Sequence, residues 1–291
     1  MSFLTLLPKL LMIGMALMMF GLGLALSVAD FARVKSHPKA VLIALTLQII
    51  FLPLACYALI VSLQLAPIYA VGLMLLAASP GGISANLFSH LFGGNVAMNI
   101  SLTAINTALS IATLPLIAKG AIATFAKSGQ VVPIQFGKVL EVMGVVLIPV
   151  ALGMLVRARA PGFAAHMDKP MKLFSAVLLF ALAALAITKE WAQLAHSFAQ
   201  IGLAVVAFNL ISLLTGYYLS RAIGLAKPLA TALAFEVGIH NAALAMFIAL
   251  NILNDLQLAL PAGLYSISML ITAALFGVLV SRQRRTNLQM A

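Results

Sequence analysis

Long apolar runs alternate with short polar gaps along almost the whole chain. Each run is about 20 residues long, which is the length that an α-helix needs to cross the hydrocarbon core of a bilayer. The runs predict nine transmembrane helices, at about residues 4–28, 40–62, 67–89, 95–118, 138–157, 171–188, 200–219, 228–251 and 260–280. The pattern therefore predicts an all-α polytopic membrane protein.

The first run also has a feature of a secretory signal peptide. Ser27-Val28-Ala29 resembles a cleavage site. The apolar stretch before it is about 25 residues long, however, whereas the apolar region of a signal peptide has about 7 to 15. We therefore interpret this run as the first transmembrane helix.

The composition agrees with a membrane protein and argues against other classes. Of the 291 residues, 64% are hydrophobic and 8% are charged, whereas about a quarter of the residues of a soluble domain are charged. The net charge of +11 comes from basic residues scattered through the gaps, without a recognition motif, so we expect no nucleic-acid partner. Cys56 is the single cysteine, which excludes a disulfide within the chain. No hydrolase motif such as HExxH occurs, so we expect neither an enzyme nor a cofactor.

Lysine and arginine are distributed unevenly between alternate gaps. The larger set, twelve of the seventeen, is Arg33, Lys35, Lys39, Arg157, Arg159, Lys169, Lys172, Arg221, Lys227, Arg282, Arg284 and Arg285. The smaller set is Lys9, Lys119, Lys127, Lys138 and Lys189. Because these residues concentrate in cytoplasmic loops, the asymmetry predicts that the amino terminus is outside and the carboxyl terminus is cytoplasmic. We expect a multi-pass protein of the cell membrane, the cytoplasmic membrane if the source is bacterial.

The third apolar run is interrupted by the sequence Ser79-Pro80-Gly81-Gly82-Ile83-Ser84-Ala85-Asn86. Proline removes a backbone donor and clashes with the preceding turn, and the two glycines lower the cost of unwinding. The run should therefore break in mid-membrane. Non-helical backbone at that depth is tolerated only where it is buried in protein or lines a cavity, so the break indicates a functional site. The alternative is a structural proline kink.

The eighth run is interrupted by Glu236-Val237-Gly238-Ile239-His240-Asn241. A carboxylate at the bilayer centre costs about 2.5 to 3.5 kcal/mol, so Glu236 needs a partner such as a cation or a watery cavity. The two interrupted runs are the third of the first four and the third of the last four. Interrupted helices in corresponding positions of two repeats point to the binding site of a secondary transporter.

The motifs at the two interruptions resemble those of the bile acid:sodium symporter family. The matching residues are Ser79-Pro80-Gly81-Gly82 with Asn86, Gly94-Asn95-Val96-Ala97 leading to Thr103, and Glu236-Val237-Gly238 with Asn241. The resemblance covers essentially the whole chain and implies one transporter domain, residues 1–291, built from inverted repeats in which the two broken helices cross. It implies a panel domain of helices at about 4–28, 138–157 and 171–188, and a core domain of helices at about 40–118 and 200–280.

The resemblance also implies ligands for ions and substrate. The first sodium site would use Asn86, Asn99, Thr103 and Glu236. The second would use Gln48, Glu236, His240 and the backbone carbonyls of Val237 and Ile239. The substrate, an organic anion of the bile acid or small carboxylate type, would face Ile83, Ser84, Ala85 and Asn241. Gln48 and Asn209 are amides inside apolar runs, and each could hydrogen-bond between helices rather than act as a ligand; this role is the one expected for Asn209.

His240 departs from the family pattern, which often has glutamine at this position. Imidazole nitrogen is a poor ligand for Na⁺, and a protonated ring would repel the ion. Three interpretations follow: a neutral core residue, a lost second sodium site, or a proton exchanged with Glu236.

We therefore expect a symporter that couples Na⁺ to an organic anion by alternating access, with Na⁺, the anion and the lipid bilayer as its partners. The alternatives are a proton-coupled or uncoupled anion carrier that uses His240, and a channel or receptor. Saturable, gradient-driven counterflow would distinguish a carrier from a channel.

Overall fold

A computed structural model describes residues 3–125, 136–189 and 191–289. Within these residues the chain is helical and forms no strand, only an isolated bridge. The first helices are α1 (Phe3–Ala25), α2 (Val28–Arg33), α3 (Pro38–Thr46), α4 (Leu52–Ser62), α5 (Pro67–Ala78), α6 (Ile83–Leu91) and α7 (Val96–Phe125). They are followed by α8 (Phe136–Arg159), α9 (Pro161–Lys189), α10 (Trp191–Ala222), α11 (Lys227–Gly238), α12 (Ala242–Asn251) and α13 (Leu260–Gln289).

Several of these segments are long and apolar enough to cross a membrane. Within the described part of the chain they are Pro38–Ser62, Val96–Phe125, Ile201–Ala222 and Gln257–Ser281. A fifth span forms if Met12–Ala25 and Val28–Ser36, which meet at 64°, are taken together. The prediction of an all-α polytopic membrane protein is confirmed, whereas the number of nine transmembrane helices stays a prediction.

The first apolar run ends earlier than its sequence pattern suggests. Helix α1 stops at Ala25, and the chain turns into α2 because the Asp30 carboxylate accepts hydrogen bonds from Ser27 N (2.8 Å) and Ser27 Oγ (2.6 Å). Arg33 pairs with the same carboxylate at 2.5 Å. Burial on its own would raise the pKa of Asp30, but these hydrogen bonds and the Arg33 charge hold it below its usual value. A polar cap therefore fixes the bend.

Both predicted interruptions are present as breaks between short helices. Residues 79–82 separate α5 from α6, and residues 239–241 separate α11 from α12. The two helices of the second break are surrounded by protein, because every residue from 230 to 249 is buried. This agrees with the rule that a helix apolar on all sides lies inside a bundle.

Glycines set the closest helix contacts. A β-carbon on Gly153 of α8 would meet the Phe20 carbonyl and lie 2.8 Å from the Cα of Gly23 in α1. Gly216 of α10 similarly leaves room for α11, since a β-carbon there would lie 2.8 Å from the Cα of Ala234. Helix α1 also packs against α9 and α12, so the amino-terminal helix is part of the bundle.

Candidate functional site

The two breaks cross each other as a short antiparallel pair of extended segments. Gly82 N donates to Ile239 O at 2.7 Å, and Asn241 N donates to Pro80 O at 2.8 Å. These bonds flank the bridge between Gly81 and His240. Backbone groups freed by unwinding one helix are thus satisfied by the other, as burial requires.

The carboxylate of Glu236 lies against this crossing and is completely buried. Thr103 Oγ1 donates to Oε2 at 2.6 Å, and Asn106 Nδ2 donates to Oε1 at 2.9 Å. A β-carbon on Gly81 would fall 2.9 Å from Oε2, so glycine at this position lets the carboxylate lie directly against the crossing. Thr103 donates through a hydroxyl and Asn106 through a carboxamide, and both groups are uncharged. The hydrogen-bond partners of Glu236 are therefore neutral, although a buried carboxylate ordinarily needs a positive charge.

Unpartnered acceptor atoms lie on the helices around the crossing. In the described part of the chain, the buried side-chain atoms without a hydrogen-bond partner are Gln48 Oε1, Asn86 Oδ1, Asn99 Oδ1, Asn106 Oδ1, Thr107 Oγ1 and His240 Nε2. An unsatisfied buried polar group costs about 1 to 3 kcal/mol. So many buried polar atoms without a partner indicate that a bound ion, water or ligand satisfies them.

The orientation of three of these carboxamides is set by their neighbours. The amide nitrogens of Gln48, Asn99 and Asn106 each face an acceptor: Ser79 O at 2.9 Å, Ala232 O at 2.8 Å and the Glu236 carboxylate at 2.9 Å. A carbonyl or carboxylate oxygen accepts hydrogen bonds and cannot donate them. The nitrogen must therefore point to each acceptor, which leaves the amide oxygen free.

The four side chains expected at the first sodium site come from three helices. Asn99 and Thr103 lie one turn apart on α7, Asn86 lies on α6, and Glu236 lies near the end of α11. Thr103 connects α7 to α11, because its hydroxyl donates to Glu236 Oε2 at 2.6 Å and also lies 3.1 Å from the backbone carbonyl of Asn99. Asn99 is anchored to α6 as well, through Ser89 Oγ at 2.9 Å.

At the second expected site, Gln48 and His240 share one acceptor. Gln48 lies in a single π-helical turn, Leu47–Phe51, a type of irregularity that is frequent at functional sites. Its Nε2 lies 3.4 Å from His240 Nδ1, and that nitrogen lies 3.2 Å from Ser79 O. The imidazole ring stacks on Phe208, with 5.3 Å between ring centroids. Hydrogen bonds thus hold one edge of the ring, while Nε2 has no partner.

The backbone carbonyls beside Glu236 are held in different ways. The Ile239 carbonyl accepts from Gly82 N, whereas the Gly238 carbonyl accepts from Asn209 Nδ2 at 2.7 Å and from Tyr265 Oη at 2.8 Å. Val237 is also buried, and its backbone carbonyl accepts none of the described hydrogen bonds outside the helices. Asn209 connects α10, α11 and α13, which confirms its expected role between helices.

The residues expected to face the substrate lie where two half-helices begin. Ile83, Ser84 and Ala85 form the first turn of α6, and Asn241 precedes α12 and caps it by accepting from Leu244 N at 3.1 Å. The first N–H groups of a helix have no partner within it, and they carry partial positive charge. Both amino-terminal ends begin at the crossing and could bind an anion.

Three residues that contact the site were not predicted from the sequence. Asn106, Ser79 and Tyr265 all contact the predicted site residues. Only Asn106 had a usable signal, because it lies three residues after Thr103 on the same helix and therefore shares its face.

Comparison with known proteins assigns the chain to a family. Residues 12–197 match the profile of the Sodium Bile acid symporter family. The chain is 28% identical to the uncharacterized sodium-dependent transporter YocS of Bacillus subtilis over 87% of its own length and 77% of the relative. It is 27% identical to the probable chloroplastic sodium/metabolite cotransporter BASS1 of rice, over 91% of its own length and 64% of the relative. The human ileal sodium/bile acid cotransporter is 25% identical, over 93% of this chain and 78% of that protein.

These relatives are named as transporters, in agreement with the expectation that the chain is not an enzyme. The profile match covers more than half of the chain and includes the first crossing segment. The chain therefore belongs to the Sodium Bile acid symporter family.

Proposed function

We propose that the protein is a symporter that uses the Na⁺ gradient to move an organic anion across the membrane. The observation that carries this proposal is the completely buried Glu236 carboxylate, which has neutral hydrogen-bond partners and lies beside unpartnered acceptor oxygens. A cation would satisfy both the charge and the oxygens. The relatives named as sodium cotransporters make Na⁺ the first candidate.

The first sodium ion is proposed to bind Asn86, Asn99, Thr103 and Glu236. The free oxygens of Asn86 and Asn99 support this assignment, together with the hydroxyl of Thr103. Amide, hydroxyl and carboxylate oxygens are the ligands that hard cations prefer. Because the ligands come from α6, α7 and α11, an ion here would hold the broken helices to the intact one.

A second sodium ion is proposed between Gln48, Glu236, His240 and the carbonyls of Val237 and Ile239. The free Gln48 oxygen supports this site. The Ile239 carbonyl already accepts one hydrogen bond, but a carbonyl oxygen has two lone pairs. His240 is the weakest ligand of this set, because its nitrogen is a poor partner for Na⁺.

The anion is proposed to bind at the start of α6 and α12, against Ile83, Ser84, Ala85 and Asn241. Two converging helix amino termini favour negative charge. Na⁺ beside Glu236 would remove the repulsion between that carboxylate and the substrate. The substrate class proposed is a bile acid or small carboxylate, by analogy with the relatives named for bile acid and for metabolites.

Alternating access is proposed to move a core domain, residues of about 40–118 and 200–280, against a panel of α1, α8 and α9. The packing of α1 on α8 and α9 supports such a panel. The chain would then cross the membrane nine times as one transporter domain, residues 1–291, with its amino terminus outside. Coupling requires that Na⁺ binds the anion-loaded protein more tightly than the empty one.

Uptake by reconstituted protein tests this function. Proteoliposomes are assayed with radiolabelled taurocholate, pantoate and pyruvate, under an inward Na⁺ gradient or an equal K⁺ gradient. We expect uptake of at least one anion to depend on Na⁺, and Glu236→Gln to abolish that dependence while the protein still folds. Equal uptake in K⁺, or full Na⁺-driven uptake by Glu236→Gln, would refute the proposal.

A carrier with one sodium ion, or with a proton in place of the second, is the alternative form of this function. The observation that favours it is the imidazole of His240 with an unpartnered Nε2 in the second site. In His240→Gln, restoration of an amide oxygen should raise the Hill coefficient for Na⁺ from about 1 toward 2. A proton-coupled carrier would instead lose a dependence on pH in this variant. Unchanged Na⁺ and pH dependence would exclude both forms.

A further inference from the structure

A buried polar face continues along α7 beyond the proposed sodium ligands. Thr103, Asn106, Thr107 and Ser110 follow the spacing i, i+3, i+4 and i+7, which places them on one side of a helix. All four are at most 5% exposed. A polar face inside a membrane bundle is costly unless its groups have partners, so these residues point to a specific role.

Two oxygens on this face have no hydrogen-bond partner, Asn106 Oδ1 and Thr107 Oγ1. A hydroxyl in a helix interior ordinarily donates to the carbonyl four residues earlier. Thr113 of the same helix does so, to Leu109 O at 3.2 Å. The hydroxyl of Thr107 does not, although the residue is only 3% exposed.

The position of Asn106 explains which ligand chemistry suits these oxygens. Its Nδ2 donates to the Glu236 carboxylate, so the Oδ1 of the same rigid amide lies within a few ångströms of that carboxylate. An anion would be repelled there, and the free amide oxygen offers no donor. A monovalent cation would gain from the carboxylate and from the Asn106 oxygen, and Thr107 adds a second unpartnered oxygen on the same polar face of α7. The nearest basic residue further along α7, Lys119, is twelve residues from Thr107, or about 18 Å along the axis.

We propose that Asn106 and Thr107 form a further Na⁺ position beside Glu236, separate from the two sodium sites described above. This inference rests on the proposed function. In the proposed topology, α7 runs outward from Thr103 to Ser110. The position would therefore hold Na⁺ on its way from the outer side to Glu236, and Asn106 would connect the two places through its amide.

Binding of radiolabelled Na⁺ to the purified full-length protein tests this position. The informative variant is Thr107→Val, which keeps the shape of the side chain and removes the hydroxyl. The matched control is Thr113→Val, because that hydroxyl lies on another face of α7 and already donates to the backbone. We expect one class of Na⁺ sites to bind about tenfold more weakly in Thr107→Val, and Na⁺ binding to be unchanged in Thr113→Val.

Thermal unfolding in K⁺ buffer gives a second readout that separates ion binding from a structural role. Removal of an unsatisfied buried hydroxyl should leave the Tm of Thr107→Val equal to or above that of the wild type. A lower Tm together with wild-type Na⁺ affinity would show that the hydroxyl holds a structural partner, and would overturn the inference.

The sodium site itself is checked separately with Glu236→Gln. If the wild type binds Na⁺, Glu236→Gln does not, and Thr107→Val binds normally, only the further position is refuted. If the wild type binds no Na⁺, the proposed function fails and the further position fails with it.

Discussion

Replacement of Gly81 by alanine should disturb the Glu236 carboxylate without disrupting the fold. A β-carbon at position 81 would lie 2.6 Å from Glu236 Cδ and 2.9 Å from Oε2, closer than real side chains approach. The obstacle is the end of a side chain rather than backbone, so the carboxylate can retreat. We expect the protein with Gly81→Ala to fold, with a cost in the range of about 1 to 3 kcal/mol that is typical of overpacking.

The functional cost should be larger than the cost in stability. To reach ordinary contact distance, the carboxylate must move by roughly 0.5 to 1 Å. This movement would lengthen the hydrogen bonds from Thr103, now 2.6 Å, and Asn106, now 2.9 Å. A hydrogen bond to a charged group contributes about 1.5 to 3 kcal/mol. The loss of one such bond from the sodium-binding arrangement corresponds to an affinity about 10- to 100-fold lower.

Thermal shift measured against Na⁺ concentration is a suitable assay, because an ion that binds only the folded state raises Tm with the logarithm of its concentration once that concentration exceeds Kd. The concentration of Na⁺ needed for a given rise in Tm should be about 10- to 100-fold higher in Gly81→Ala. The control is Gly120→Ala on α7, where an added β-carbon meets nothing within 4 Å. If Gly81→Ala titrates like Gly120→Ala, the carboxylate is not a sodium ligand at this crossing and the reasoning is wrong.

Two further predictions concern stability. Tyr265→Phe removes a donor to the Gly238 carbonyl at the second break. The free energy of unfolding should therefore fall by about 1 kcal/mol, and Na⁺ affinity should weaken severalfold. A variant that matches the wild type in thermal unfolding and in Na⁺ titration would contradict this prediction. The pKa of Asp30 is lowered in the folded protein, so ionised Asp30 stabilises the fold at pH values above the pKa of an aspartate in the unfolded chain, about 3.9. This contribution is lost as the pH falls from there through the lower pKa of the folded protein. Asp30→Asn should therefore lower stability by about 1 kcal/mol at neutral pH and by less near pH 3, as measured by thermal unfolding at both pH values.

The two breaks could be predicted from local sequence, although their signals differ: proline and two glycines at the first, and polar residues with Gly238 in an apolar run at the second. Pro80 is followed by Gly81 and Gly82, so the same few residues remove a backbone donor and lower the cost of unwinding. Proline alone does not have this effect: Pro115 and Pro149 lie inside the continuous helices α7 and α8. At the first break, the combination of proline with glycine, and not proline by itself, was therefore the informative signal.

The details that the sequence left open depend on contacts between distant residues. Spacing places Asn106 on the same face as Thr103, but its hydrogen bond to Glu236 depends on the packing of α7 on α11, 130 residues away in the chain. Which amide oxygens lack a partner likewise depends on the acceptors that distant residues offer to the amide nitrogens. The end of α1 at Ala25 depends on the polar cap formed by Asp30, which overrides the hydrophobic pattern. The π turn at Gln48 has no local sequence signal that we recognise.

Equilibrium binding of radiolabelled Na⁺ to purified wild type and Glu236→Gln tests the central claim most directly. Glutamine keeps the size of the side chain and an oxygen that can accept from Thr103, so the fold should persist while the negative charge is lost. We predict saturable Na⁺ binding to the wild type that excess K⁺ does not displace, and no saturable binding to Glu236→Gln. Equal Na⁺ binding by the two proteins would contradict the assignment of the buried carboxylate as the sodium ligand.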